Sequence, residues 1–244
     1  MANVLRNAFE TYSGHLELIA FSAISLVLAF LIPAISPFPT FLDLGSEFVR
    51  TASVFSNLTA VDLVIIIVST MFSILFLSFA IVMVNITIKY RKTRVKIGSE
   101  VIRALEKYTG NVFIILFLFT FILMAVDIVS YSFVGSTAGL ITAIAGLLLT
   151  PFFFYAPSSI VIDEKKVRHA LGASFSFISK RFGYLLLWLI VAIAFLTASD
   201  LLFMPLGPQL SGYVLLFVDS ILILPFLLIL QGEMYINRYD MLRG

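Results

Sequence analysis

Six stretches of this chain stay apolar for about the 20 residues a helix needs to cross the hydrocarbon core of a bilayer. They are Leu16–Ile35, Leu63–Thr87, Val112–Val134, Leu140–Ala156, Tyr184–Leu202 and Tyr213–Gln231. The fold class that follows is all-α, a polytopic membrane protein of six transmembrane helices in a single domain, residues 1–244. Composition agrees: 61% of residues are hydrophobic and 12% charged, against about 25% charged in soluble domains. The mean hydropathy is +1.09. The absence of Cys excludes disulfides, thiol catalysis and cysteine-ligated metals. The first apolar run is too long for a signal peptide and lacks a small-residue cleavage site, so it reads as a retained span.

Six spans place both termini on one side, and the basic residues say which. Of the sixteen Lys and Arg, only Arg50 falls between spans one and two; the rest lie in the terminal segments or in the loops on the other side. By the positive-inside rule, both termini are expected to be cytoplasmic in a multi-pass protein of the cell membrane. A net charge of +2 is too small to argue for nucleic acid, and orientation accounts for the basic residues better.

Seven of those cations crowd into Lys89–Asn111. Its second half has the pattern of an amphipathic cytoplasmic helix that turns into span three. The segment Ala104-Leu-Glu-Lys-Tyr-Thr-Gly110 matches Ala8-Phe-Glu-Thr-Tyr-Ser-Gly14 in residue type at six of seven consecutive positions, all but the fourth. A third inner segment ends in Lys180-Arg-Phe-Gly183, where Val167, Ala170, Leu171, Ser174, Phe175 and Ile178 share one helical face. These define three modules, 1–88, 89–157 and 158–244, each an inner interfacial helix followed by a span out and a span back. Gly14, Gly110 and Gly183 are the expected turns between interfacial helix and span, since glycine adopts positive φ where other residues resist it.

The outer loop from Ser36 to Val61 carries the glycosylation triplet Asn57-Leu-Thr59. Gly135, Gly139, Ala143 and Gly146 open span four with a nearly bare face that admits a close neighbour. Packing within the subunit is its plainer use, a homodimer seam or a ligand groove its sharper one. Pro151 and Pro225 are expected to bend spans four and six.

The run Thr150-Pro-Phe-Phe-Phe-Tyr-Ala-Pro-Ser-Ser-Ile-Val-Ile-Asp-Glu-Lys-Lys-Val-Arg-His-Ala-Leu-Gly-Ala-Ser-Phe175, with its breaking proline, acidic pair and Ala-Leu helix before the next span, resembles the membrane domain attached to some glycerophosphodiester phosphodiesterases and its stand-alone six-span relatives. About thirty residues carry the motif. In that family the phosphodiesterase lies in a separate soluble domain for which this chain has no room. The resemblance therefore implies membrane placement and not catalysis.

Carboxylates inside spans are costly and are functional candidates for that reason. Asp219, Asp127 and Asp200 all belong to the outer half of the membrane and are candidates for an outward polar site that binds a cation or proton; the plainer reading has them reach the interface or bond to hydroxyls. His15 and Glu17 form too sparse a set for a metal. No zinc-protease motif, phosphate-binding loop or nucleophile elbow is present, so no catalytic residue, metal or cofactor is assigned. Lys89, Arg91, Lys92, Arg94, Lys96, Arg103, Lys180 and Arg181 are the candidate sites for lipid headgroups or a docking partner. The expected role is that of a non-enzymatic scaffold, lipid-interacting protein or accessory subunit, with membrane lipid and a cytoplasmic protein as partners and with scope for self-association. A permease subunit of the ABC-exporter kind, docking an ATPase through its inner helices, is the alternative, and an intramembrane enzyme the third reading.

Overall fold

The computed structural model describes residues 2–34, 60–93 and 99–240. Asn57, Arg94 and Lys96 lie outside them, and of Lys92 only the backbone is described. The described chain is helical throughout: α1 (Ala2–Gly14), α2 (Leu16–Ala34), α3 (Ala60–Thr93), α4 (Ser99–Val134), α5 (Ala138–Phe153), α6 (Ala156–Asp163), α7 (Val167–Lys180), α8 (Phe182–Phe203), α9 (Pro208–Val218) and α10 (Leu224–Asp240). Six helical segments are long and apolar enough to cross a membrane, Leu16–Ala34, Val64–Arg91, Val101–Val134, Ala138–Asp163, Phe182–Leu206 and Leu210–Asn237. The protein is an all-α integral membrane protein.

The helices α3 and α4 have 34 and 36 residues, about 50 Å each at 1.5 Å per residue. The hydrocarbon core is about 30 Å thick. This hairpin therefore outruns the bilayer, and the excess carries Lys89 to Lys107 beyond the apolar layer. The inner segment before span three is accordingly the coaxial first third of α4, where a separate helix lying flat was expected. Its apolar stripe, Val101, Ala104 and Tyr108, continues through Gly110 to Val112 and Ile115 and is buried as one cluster with Ile81, Val82 and Ile86 of α3 and Ile160 of α6.

That continuity corrects the role expected of the glycines. Among the described residues, positive φ occurs at Gly135 (59°), Gly207 (82°) and Glu164 (56°), and not at Gly14, Gly110 or Gly183. α4 runs straight through Gly110, and Gly183 sits in the first turn of α8. A bend at Gly110 would split the buried stripe, at a greater cost than the roughly 1 kcal/mol by which one glycine weakens a helix. The real corners are His15, between α1 and α2, and Arg181 (φ −142°, ψ 48°), between α7 and α8.

Span four bends where Pro151 and Pro157 remove backbone donors. At the break the Ser174 hydroxyl of α7 stands between two groups that an unbroken helix would pair: it accepts from Tyr155 N–H at 3.0 Å and donates to the Pro151 carbonyl at 2.9 Å. Gln231 Nε2 of α10 donates to the Phe154 carbonyl. Beyond the break, α6 is buried from Ala156 to Val161; span four thus continues past Ala156, where it was expected to leave the membrane. The buried face of α7 is Ala170, Ser174, Phe177 and Ile178. Phe175, expected on that face, is exposed and stacks on Phe152 at 4.6 Å.

In span six, α9 and α10 are joined by a π turn, Asp219–Ile223, in which Leu224 N–H reaches back five residues to the Asp219 carbonyl. Pro225 follows at once, so the widened turn lies where the proline ring disrupts the regular ladder.

Packing at the end of the bundle that carries Lys89 and Lys107, termed the inner end, follows a circular order. α1 lies on α10, the start of α4 on α3, and α7 on α5 and α6. The start of α4 and α7 each rest on the span that precedes them in the chain, and α1 rests on the last span. The contact of α1 with α10 spans the length of the chain and closes the circle. α1 and the last described turns of α10 consequently lie at the same end of the bundle.

Candidate functional site

The polar residues of the inner end fall into two braces on opposite sides of α3, one around the buried Glu233 and one around the half-exposed Glu164. Lys89 and Arg91 are two residues apart, about 200° around a helix, so one side chain reaches α4 and α6 and the other reaches α1 and α10.

On the Arg91 side, Val4, Ala8 and Thr11 bury one face of α1, leaving Glu10 at the edge. Arg91 Nη2 lies 2.9 Å from Glu10 Oε2, and its Nη1 donates to the Asn7 carbonyl at 2.8 Å and to the Thr11 hydroxyl. The same Nη1 is 3.3 Å from Glu233 Oε1, whose side chain is 2% exposed. Thr11 Oγ1 donates to that carboxylate oxygen at 2.8 Å. A carboxylate so deeply buried requires a paired cation and hydrogen bonds, and Arg91 with Thr11 supplies both.

On the Lys89 side, Glu164 caps α6 in the left-handed conformation and receives Lys107 Nζ at 2.6 Å and Lys89 Nζ at 2.8 Å. Lys89 also donates to the Val161 carbonyl at 3.1 Å. Both ammonium groups lie against the Tyr108 ring, 4.9 and 5.6 Å from its centroid. The Lys107 and then the Lys89 hydrogen bonds hold the Glu164 carboxyl down at about 2, well below the usual range. Next to it, Asp163 Oδ2 accepts from Tyr235 at 2.7 Å and pairs with Lys165 at 3.4 Å.

Thr11 and Lys107 occupy the same place in the two matching heptapeptides, and each reaches a carboxylate at the inner end of a span. The glycines that end those heptapeptides differ: α1 stops at Gly14, whereas Gly110 lines an apolar cavity of about 440 Å³ between α3 and α4, with Val68, Met71, Phe72, Leu75, Thr109 and Phe113.

The candidate headgroup residues thus divide. Lys89 and Arg91 serve the braces, while Arg103 and Lys180 are exposed and have no ionic partner among the described residues. Lys166 and Arg168 on α7 are exposed in the same way. Arg181 lies beside the stacked Phe177 and Tyr184 rings, 5.8 and 5.9 Å from their centroids.

The three outer carboxylates are not gathered into one site. Asp127 is buried and accepts from Thr142 at 2.8 Å, tying α4 to α5. Asp219, at the head of the π turn, accepts from Ser199 of α8 at 3.0 Å. Asp200 is exposed beside Ser199. On the face of span four that meets α4, Gly146 approaches Leu123 to within ordinary contact of an added Cβ, 3.6 Å, while Ala143 is exposed. No group of three His, Asp or Glu able to hold a metal occurs among the described residues.

Glu233 reads from the sequence as a group making an interhelical or headgroup hydrogen bond, and Ser174 as part of the α7 face, but their partners lie on distant segments. The part played by Thr11 escaped sequence reasoning. So did that of Gly232: an added Cβ would strike the end of the Ile88 side chain of α3 and come to 3.2 Å from Asn85 Oδ1, so any larger residue must displace those side chains at the α3–α10 crossing. The one available signal was the cost of Glu233 itself, a carboxylate beside an apolar run.

Comparison with known proteins finds no matching family model, no matching curated protein and no matching solved structure.

Proposed function

We propose that this is a non-enzymatic membrane protein that interacts with lipid, a scaffold or accessory subunit whose inner end meets anionic headgroups. One observation carries the reading: the cations are divided between two duties. Lys89, Arg91 and Lys107 are bound to Glu164, Glu10 and Glu233 in ion pairs that link helices of the bundle. Arg103, Lys166, Arg168 and Lys180 face outward at the same end without a carboxylate partner among the described residues. Exposed cations next to a membrane attract anionic lipid with about 1 kcal/mol each. The resemblance to the membrane domain of glycerophosphodiester phosphodiesterases supports the same placement.

The permease reading draws on the exposed face of α7, Arg168, His169 and Gly172, which lies between spans where an ATPase would dock. Purification in mild detergent, with identification of bound lipids and co-purifying chains, separates the two. Enrichment of anionic over zwitterionic lipid without a stoichiometric nucleotide-binding chain supports the lipid reading. A stoichiometric ATPase, or lipid bound in bulk proportion, overturns it.

A further inference from the structure

The corner between α7 and α8 holds a cation that the protein itself does not balance. Arg181 makes that corner: its N–H donates to the Phe177 and Ile178 carbonyls at 3.0 and 3.1 Å, and its carbonyl accepts from Tyr184 N–H at 3.0 Å. The guanidinium rests against the rings of Phe177 and Tyr184, which are nearly parallel at 9°. Nη1 is buried and has no hydrogen-bond partner. Nε and Nη2 remain open, and no acceptor among the described residues reaches them. A half-buried cation with one orphaned nitrogen and no carboxylate destabilises the fold where it stands, because burial removes solvation that nothing replaces.

The surroundings favour an anion. α8 starts here without a side-chain cap; Tyr184 N–H is taken up by the Arg181 carbonyl, while the N–H groups of Phe182 and Gly183 have no partner within the helix. Lys180 is exposed next to Arg181. No acidic residue lies between Lys165 and Ser199. Phe182 and Leu186, 54% and 45% exposed, open the corner to lipid at the point where span five enters the membrane. A guanidinium binds phosphate through two parallel N–H groups, a geometry for which an ammonium has no equivalent.

We infer that Arg181, with Lys180 and the start of α8, is a binding site for a phosphate group, held by the open Nε and Nη2. This deepens the lipid reading above by naming its site and chemistry. A phospholipid headgroup and free inorganic phosphate present the same chemistry, and the corner's exposure to lipid favours the former.

The test uses the full chain in phosphatidylcholine nanodiscs, titrated with phosphatidylglycerol or with inorganic phosphate and read by native mass spectrometry and thermal unfolding. The wild type is expected to retain one lipid more tightly than the rest, and Arg181→Gln to weaken it about tenfold, the equivalent of one charged contact. Arg6→Gln, which removes an exposed cation paired with Glu10 on α1, serves as the control and should leave it unchanged. Arg181→Lys, which keeps the charge without the paired donors, should fall between them. Saturation by inorganic phosphate alone keeps the site and reassigns its source to free phosphate. Unchanged binding in Arg181→Gln overturns the inference while the wider lipid reading stands; absence of any anionic preference in the wild type overturns both. If Arg181→Gln fails to fold, protection of wild-type Arg181 from phenylglyoxal by phosphatidylglycerol or by phosphate decides the matter, and lack of protection by either rejects the site.

Discussion

Arg91 Nη1 lies 3.3 Å from Glu233 Oε1, joining residues 142 positions apart on the inner ends of spans two and six. Thr11 of α1 bonds to the same oxygen, so one buried carboxylate fastens three separate parts of the chain. Removing Arg91 leaves Glu233 buried and uncompensated. Arg91→Ala should destabilise the protein by about 3 kcal/mol, the lower end of the 3–5 kcal/mol range for a broken buried pair because Arg91 is partly solvated. Replacing both partners with Met should recover most of that loss. Unfolding in detergent followed by tryptophan fluorescence checks both, and an Arg91→Ala protein as stable as wild type would remove the brace from the account.

Ser174 repairs a break in span four by bonding to Tyr155 N–H and the Pro151 carbonyl. Ser174→Ala leaves both backbone groups buried, at a cost of about 1–3 kcal/mol. The exposed Ser176→Ala should be neutral. Comparing the two midpoints distinguishes a specific bridge from general loss of polarity on α7.

The Glu164 triad predicts a particular acid response. Its carboxyl is held down at about 2 by Lys107 and Lys89, below the ordinary value of about 4.3. A depressed pKa means stability that is fully present above the ordinary value and is lost as pH falls from there through about 2. Because Glu164 is half exposed, the amplitude is screened and should not exceed about 1 kcal/mol. The difference in melting temperature between wild type and Glu164→Gln should therefore be constant from pH 7 to about 5 and shrink below that. A difference that does not change with pH would refute the ion-pair assignment.

Glycines at corners and glycines within helices should respond in opposite directions. Gly207 has φ 82° and ψ 158°, a region open to almost no other residue, so Gly207→Ala should cost about 1–3 kcal/mol. Gly110 is helical, and an added Cβ meets nothing within 4 Å. Gly110→Ala should stabilise α4 by about 0.5–1 kcal/mol. Loss of stability in Gly110→Ala would restore the turn that the heptapeptide match suggested.

What could be read from the sequence was what depends on composition over a window. Each of the six spans reports its own apolarity, and the proline breaks in spans four and six are local steric facts. The direction each cation faces is not local. Arg91 and Arg103 look alike within Lys89–Asn111, yet one meets Glu233 and the other is exposed. Gly14 and Gly110 end near-identical heptapeptides, yet only the first is followed by a corner, because the stripe through Gly110 has α3 and α6 to bury against. The outer carboxylates were identified as costly, and two of them are bonded to hydroxyls on neighbouring helices; that Asp127 and Asp219 sit on separate helix pairs was fixed by packing.

The central claim is the division of the cations into an inward set that braces the bundle and an outward set that meets lipid. It is tested most directly by counting anionic lipids retained by the purified protein after Arg103, Lys166, Arg168 and Lys180 are all changed to Gln. The account predicts that the retained anionic lipid falls by several-fold, roughly 1 kcal/mol per cation being at stake, while the unfolding midpoint stays at the wild-type value. Undiminished lipid retention, or a midpoint lowered as far as in Arg91→Ala, would contradict it.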